Sequence, residues 1–169
     1  MFMKLKAILL LLSIFVGVNL YAQTANDSLP YLQHPELPAF RLQMMDSTTV
    51  LNTYNIKQGK KTVLMLFSPD CEHCQHMADS MRNHMEEMQD VQIYMFSFMD
   101  LYQIKNFAAK YKLNRYKNIT FGKDVDFFFA GFYKLTSVPG IAIYDKKKKF
   151  VKLFNGGAKI EELLAAIKE

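Results

Sequence analysis

Two residues in this 169-residue chain have an obvious capacity for chemistry, Cys71 and Cys74, and they are its only cysteines. They stand in the run Cys71-Glu72-His73-Cys74, three positions apart. A loop that short cannot staple distant parts of a fold as structural disulfides do. The pair has three uses open to it: bonding to each other, holding a metal, or exchanging with the thiols of another protein. What precedes and follows the pair sharpens the reading. Thr62 to Phe67 is an unbroken apolar run of strand length, ended by Ser68-Pro69-Asp70, and after Cys71 the apolar period changes to that of a helix. Cys71 therefore opens a helix, where unpaired backbone N–H groups and the positive end of the dipole favour a thiolate. That makes Cys71 the nucleophile. Cys74, one turn further in, is the resolving thiol that attacks Cys71 and releases a trapped mixed disulfide. A protonated His73 would stabilise the thiolate further and make the pair more oxidising. Glu72, if ionised near the sulfur, would act in the opposite sense.

A zinc or copper site is the strongest rival, because Cys71, Cys74, His73 and His76 crowd soft ligands into six residues. A closed site draws a second ligand pair from elsewhere, and His34 and His84 have no spacing that supplies one. Haem attachment fails on Gln75, which stands where a Cys-x-x-Cys-His motif needs histidine. Met77, Met81, Met85 and Met88 recur every three or four residues, the stripe of a helix running to about Gln89. They are expected to pack in the core, with a copper-binding methionine array as the alternative. Neither a metal nor a cofactor is expected.

The elements around the pair follow the same logic. Half of the chain is apolar, and fourteen Phe with nine Tyr supply the bulk of a core although Trp is absent. Ala39 to Val50 alternates as a hairpin about Asp46 and Ser47. Val91 to Phe98 reads as a second buried strand, and Leu101 to Tyr111 as a helix with Ile104, Phe107, Ala108 and Tyr111 on one side. Strand, helix, strand, helix argues a parallel sheet unit. Residues 112–132 stay unassigned, with Asn118 to Phe121 readable as a short strand and Val125 to Phe132 as a helix or a buried loop. Gly140 to Tyr144 and Phe150 to Phe154 form a hairpin across a solvated turn of four lysines, Lys146 to Lys149. Ile160, Leu163, Leu164 and Ile167 mark a closing amphipathic helix within Ala158 to Lys168.

Residues 1–22 read as an export signal: Lys4 and Lys6, an apolar run from Ala7 to Val18, and small Ala22 at the cleavage point. An uncleaved membrane anchor is the alternative reading of the same residues. Residues 23–34 are polar and read as a flexible leader, with one domain over 35–169. Removing the signal takes two of the twenty-one basic residues, so the net charge falls from +5 to 19 minus 16, or +3. The basic residues are scattered, and nucleic acid is not an expected partner.

From about Leu37 onward the chain resembles the thioredoxin superfamily, and more narrowly the exported redoxins of the TlpA and ResA type. The resemblance rests on Leu37-Pro38-Ala39-Phe40-Arg41-Leu42, on Lys60 to Leu64, on Cys71-Glu72-His73-Cys74, on Ser137-Val138-Pro139-Gly140, and on the closing hairpin with Gly156. It implies an α/β thioredoxin-like fold, with a central mixed β-sheet flanked by helices and an N-terminal β-hairpin extension. It implies that Pro139 is cis and that the backbone of Val138 pairs with an extended substrate segment beside Cys71. It also implies a monomeric thiol-disulfide oxidoreductase of the periplasm, acting as a reductase on protein thiols and disulfides with electrons from a membrane-linked donor. Three residues depart from the family pattern. Asp70 replaces the usual Trp before the first cysteine, where a negative charge close by would raise the Cys71 pKa. Met65 and Met77 occupy the places of acids that shuttle protons in related proteins. Ser68 replaces the threonine that peroxiredoxins carry three positions before their reactive cysteine, which argues against a peroxidase.

Overall fold

The computed structural model describes residues 29–169. Its centre is strand β3, Thr62–Leu66, in which every residue is buried. Val63, Met65 and the following Phe67 enter one core layer, while Leu64 and Leu66 enter the other. That alternation is what a strand covered on both faces requires. Before it come β1, Arg41–Met44, and β2, Val50–Asn52; after it come β4, Gln92–Ser97, β5, Ile119–Asp124, β6, Gly140–Tyr144, and β7, Phe150–Asn155. The seven strands form one sheet in the order β2-β1-β5-β4-β3-β6-β7. β3, β4 and β5 run parallel, and the remaining pairings are antiparallel. The result is the expected mixed sheet with an N-terminal hairpin at one edge.

Three longer helices cover one face: α2, Glu72–Asn83, α3, Leu101–Lys110, and α5, Ile160–Lys168, which follow the 4-residue α1, Pro30–Gln33. Their apolar stripes meet Val63, Met65, Ile93, Met95, Ile141 and Ile143 in the first core layer. The short α4, Phe128–Phe132, covers the other face, where Phe40, Phe96, Phe129 and Tyr133 pack ring on ring. Burying an aromatic side chain contributes about 1.5–3 kcal/mol, so this cluster holds a layer that has little helix of its own.

The structure corrects three expectations and fills one stretch left open. The helix expected to reach Gln89 ends at Asn83, and Met85–Met88 form a separate 3-10 turn. Met77, Met81, Met85 and Met88 all remain buried, because spacings of three and four suit both helix types. The unassigned residues 112–132 hold strand β5 and helix α4. Gly122 sits in β5 where an added Cβ would stand 3.0 Å from the Gln43 carbonyl oxygen, so only glycine lets β1 approach this closely. The leader expected over 23–34 contains helix α1, fixed because the Tyr31 ring lies 5.1 Å from Phe150 and 5.6 Å from Tyr133. In the lysine turn, Lys148 is buried rather than solvated and donates to the Thr62 hydroxyl. The expected export signal lies outside the described residues, and so does its cleavage point.

Candidate functional site

The parallel strands β3, β4 and β5 end together at one edge of the sheet, and the chain leaving β3 turns there through Ser68, Pro69 and Asp70 into α2. Cys71 is the N-cap of α2, in extended conformation. Its backbone N–H donates to the Ser68 carbonyl at 3.2 Å, and its own carbonyl accepts from Gln75 N at 3.0 Å. The Gln75 amide closes the turn from inside by donating to the Pro69 carbonyl at 2.9 Å. Cys71 is half-buried, and its sulfur stands at the positive end of the helix dipole.

Cys74, one turn on, is fully buried among the residues of the helical core layer. Its sulfur accepts from Ser68 N at 3.5 Å. Burial pushes the Cys74 thiol up to about 12, with the neighbouring Cys71 adding to the rise and the Ser68 N–H opposing it. Met65 and Met77 are both buried and bring no carboxylate to it.

The partner of Cys71 comes from far along the chain. Its Sγ donates to the Val138 carbonyl at 3.5 Å, and the Val138–Pro139 peptide is cis, as the resemblance implied. This loop is built by β7. Asn155 Oδ1 accepts from Thr136 N at 3.1 Å, from Thr136 Oγ1 at 3.3 Å and from Ser137 N at 3.3 Å. Gly156 N donates to the Pro139 carbonyl at 3.2 Å, and Gly156 and Gly157 both hold positive φ. The fold thus brings Cys71, Cys74, Val138 and Pro139 together across 67 residues of sequence.

Asp70, Glu72 and His73 are exposed, and their side chains make no hydrogen bond or ion pair among the described residues. His73 and His76 instead line an open groove of about 550 Å³ with Gly156, Gly157 and Lys159. The metal reading finds no donor set, since no three His, Cys, Asp or Glu side chains converge on a cation among the described residues. Two features escape a reading of the sequence. Asn155 carries the loop opposite the thiols, and its only signal is that an asparagine before two glycines is suited to satisfy backbone N–H groups. Phe98 and Phe127 stack at 6.0 Å, 40 % and 64 % exposed, at the ends of β4 and β5 on the same edge of the sheet as Cys71. Phe127 stands there at φ 51°, a left-handed conformation unusual for a bulky residue.

The profile of the AhpC/TSA family matches residues 34–153 of the chain. The chain belongs to the AhpC/TSA family. It is a redoxin of the thioredoxin superfamily, and solved structures agree with that fold. It is similar to a secreted Mycobacterium tuberculosis disulfide oxidoreductase described as homologous to E. coli DsbE. The identity there is 20 % and the TM-score 0.64, over 76 % of this chain and 94 % of that one. The exposed lipoprotein thioredoxin of Streptococcus pneumoniae gives 22 % identity and a TM-score of 0.59, over 78 % and 98 % of the two chains. A peroxiredoxin-like protein from Aquifex aeolicus gives 15 % and 0.62, over 79 % and 84 %. No curated protein matches the redoxin by sequence. Among the described residues, no helix is long and apolar enough to cross a membrane.

Proposed function

We propose that this redoxin is an exported thiol-disulfide oxidoreductase that reduces disulfides of other proteins through Cys71 and Cys74. The observation that carries the reading is the division between the two sulfurs. Cys71 is reachable, at a helix N-terminus beside the Val138 carbonyl, while Cys74 is sealed behind it.

The exchange is a pair of displacements. The Cys71 thiolate attacks one sulfur of a substrate disulfide, the substrate S–S bond breaks, and one substrate thiol leaves with a proton. An extended substrate segment lies along Val138, at the cis-proline turn beside Cys71. Cys74 then loses its proton and attacks the Cys71 sulfur. The mixed disulfide breaks, the second substrate thiol leaves, and the redoxin is left with a Cys71–Cys74 disulfide, having given two electrons and two protons to substrate. A membrane-linked donor of two electrons and two protons regenerates the dithiol. The exposed Phe98–Phe127 pair offers an apolar contact to protein substrates at the same edge. The reductase direction and the periplasmic location rest on the resemblance to exported redoxins and on the N-terminal residues of the sequence.

Equilibration of the protein in glutathione or dithiothreitol buffers tests the reading. A reversible two-electron couple near that of thioredoxin, about −270 mV, is expected, and Cys71→Ser and Cys74→Ser abolish it. A value near that of DsbA, about −120 mV, would reverse the direction to oxidant. Failure to form the disulfide at all would defeat the reading.

A further inference from the structure

The two ends of the sheet differ sharply in charge. At the end away from Cys71 lie the connections 56–61, 84–91 and 112–118 and the turns 45–49 and 145–149. They contain Lys57, Lys60, Lys61, Lys112, Arg115, Lys117 and the four turn lysines, against Asp46, Glu86, Glu87, Asp90 and Asp145. Ten bases and five acids give these five segments +5, equal to the net charge of the whole chain. At the thiol end, connections 67–71, 98–100, 125–127, 133–139 and 156–159 hold three acids and two bases, a net charge of −1.

The basic end is shaped as well as charged. Lys57, Lys60, Arg115 and Lys117 surround a groove of about 630 Å³ that no acidic residue lines, and none of the four has an ion-pair partner among the described residues. The lysine turn adjoins it, since Gly59 N donates to the Lys146 carbonyl at 2.9 Å. Four cations held together without counter-charge repel one another, a cost that a folded surface bears only weakly in water and that an anionic surface would remove.

Residues 35 and 36 also lie at this end, since Glu36 pairs with Lys149 and the Phe150 N–H donates to the Pro35 carbonyl.

We infer that the basic end of the sheet docks on the anionic headgroups of a lipid bilayer, with the Cys71 end facing away from it. Charge complementarity supplies the attraction. Soluble partners then reach Cys71 freely, and the membrane-linked donor must present its thiols well clear of the lipid.

Vesicle flotation of the purified full chain tests this, comparing neutral phosphatidylcholine with vesicles holding about 30 % phosphatidylglycerol. The apolar run Ala7 to Val18 acts on both vesicle types, so the readout is the preference between them. A preference of about tenfold or more for the anionic vesicles is expected, lost near about 0.5 M salt. It is also lost in K57E/R115E/K117E, but kept in K105E/K134E/K152E, which changes net charge equally at other exposed lysines. Unchanged circular dichroism and redox potential show that both variants fold. Equal binding to both vesicles would overturn the inference, as would an anionic preference surviving in the groove variant. Binding of tripolyphosphate that depends on the groove, without a vesicle preference, would replace the lipid with a soluble phosphate ligand.

Discussion

Cys71 Sγ donates to the carbonyl of Val138, 67 residues away, while Cys74 contributes no exposed surface. One thiol is therefore open to reagents and the other is not. In the reduced native protein, iodoacetamide is expected to label Cys71 alone, with Cys74 labelled only after unfolding; mass spectrometry of tryptic peptides reads both. Cys74→Ser should accumulate mixed disulfides with substrate proteins and Cys71→Ser should trap none, because only Cys71 is placed to attack. Equal trapping by the two variants would contradict the assignment of roles.

The buried Cys74 thiol makes the stability of the reduced protein depend on alkaline pH. Its ordinary value is 9.0, and the folded protein raises it to about 12. Between these values the unfolded chain ionises while the folded one stays protonated, so the contribution is complete below pH 9 and is lost as pH rises toward 12. The slope attributable to this group reaches about 1.4 kcal/mol per pH unit. Urea titrations of the reduced protein from pH 8 upward should show it, and Cys74→Ala should not. Oxidation removes the titrating thiol, so a slope that persists in the disulfide form would assign the loss to another group.

Several of these features can be read in the chain itself, for identifiable reasons. Thr62 to Phe67 is an apolar run of strand length ended by Ser68-Pro69-Asp70, and Ala158 to Lys168 carries a helical period, so the central strand and the last helix emerge with nearly their observed bounds. The position of Cys71 at a helix start follows from the change of period at Pro69 and Asp70. Strand β5 is legible only as far as Phe121 because Gly122 breaks its alternation, and the need for glycine arises only from β1, which approaches from 80 residues earlier in sequence. Helix α4 begins after Phe127 in a left-handed conformation and is held by Asp124, whose carboxylate accepts from Phe128 N at 3.2 Å and Phe129 N at 3.0 Å. Neither residue type announces that role. The Asn155 side chain and the basic end of the sheet are likewise products of tertiary placement, since their partners lie on separate connections.

The loop facing Cys71 depends on glycine at one position and not at another. Gly156 holds φ +96°, and an added Cβ would stand 2.7 Å from Ser137 Oγ. The left-handed backbone alone costs a side chain about 1–2 kcal/mol, and the displaced Ser137 shifts the turn that carries Val138. Gly156→Ala is expected to destabilise the protein by roughly that amount and to slow disulfide exchange. Gly131, inside α4 with nothing within 4 Å of an added Cβ, is the contrast. Gly131→Ala should be neutral or stabilising by about 0.5–1 kcal/mol and leave exchange unchanged. Chemical denaturation and an insulin-reduction assay on both variants separate the two cases, and similar losses in both would show that the Gly156 turn has no special role.

Lys148 supplies a pH response of the opposite sign. It is 8 % exposed in the turn between β6 and β7, where it donates to the Thr62 hydroxyl at the start of the central strand. Burial lowers its value from 10.5 to about 8, with Asp145 opposing the shift. Between pH 8 and 10.5 the folded protein releases this proton while the unfolded chain retains it, so stability rises with pH across that window. The oxidised protein removes the thiol contribution, and the buried Tyr133, Tyr144 and Tyr94, whose values burial raises, act equally in the two proteins compared. The melting temperature of the oxidised protein is expected to climb from pH 8 to pH 10 relative to Lys148→Met, which has no proton to lose and keeps an apolar chain in the same space. Parallel pH profiles for the two proteins would show that the Lys148 ammonium remains hydrated, and that the lysine turn contributes only surface charge.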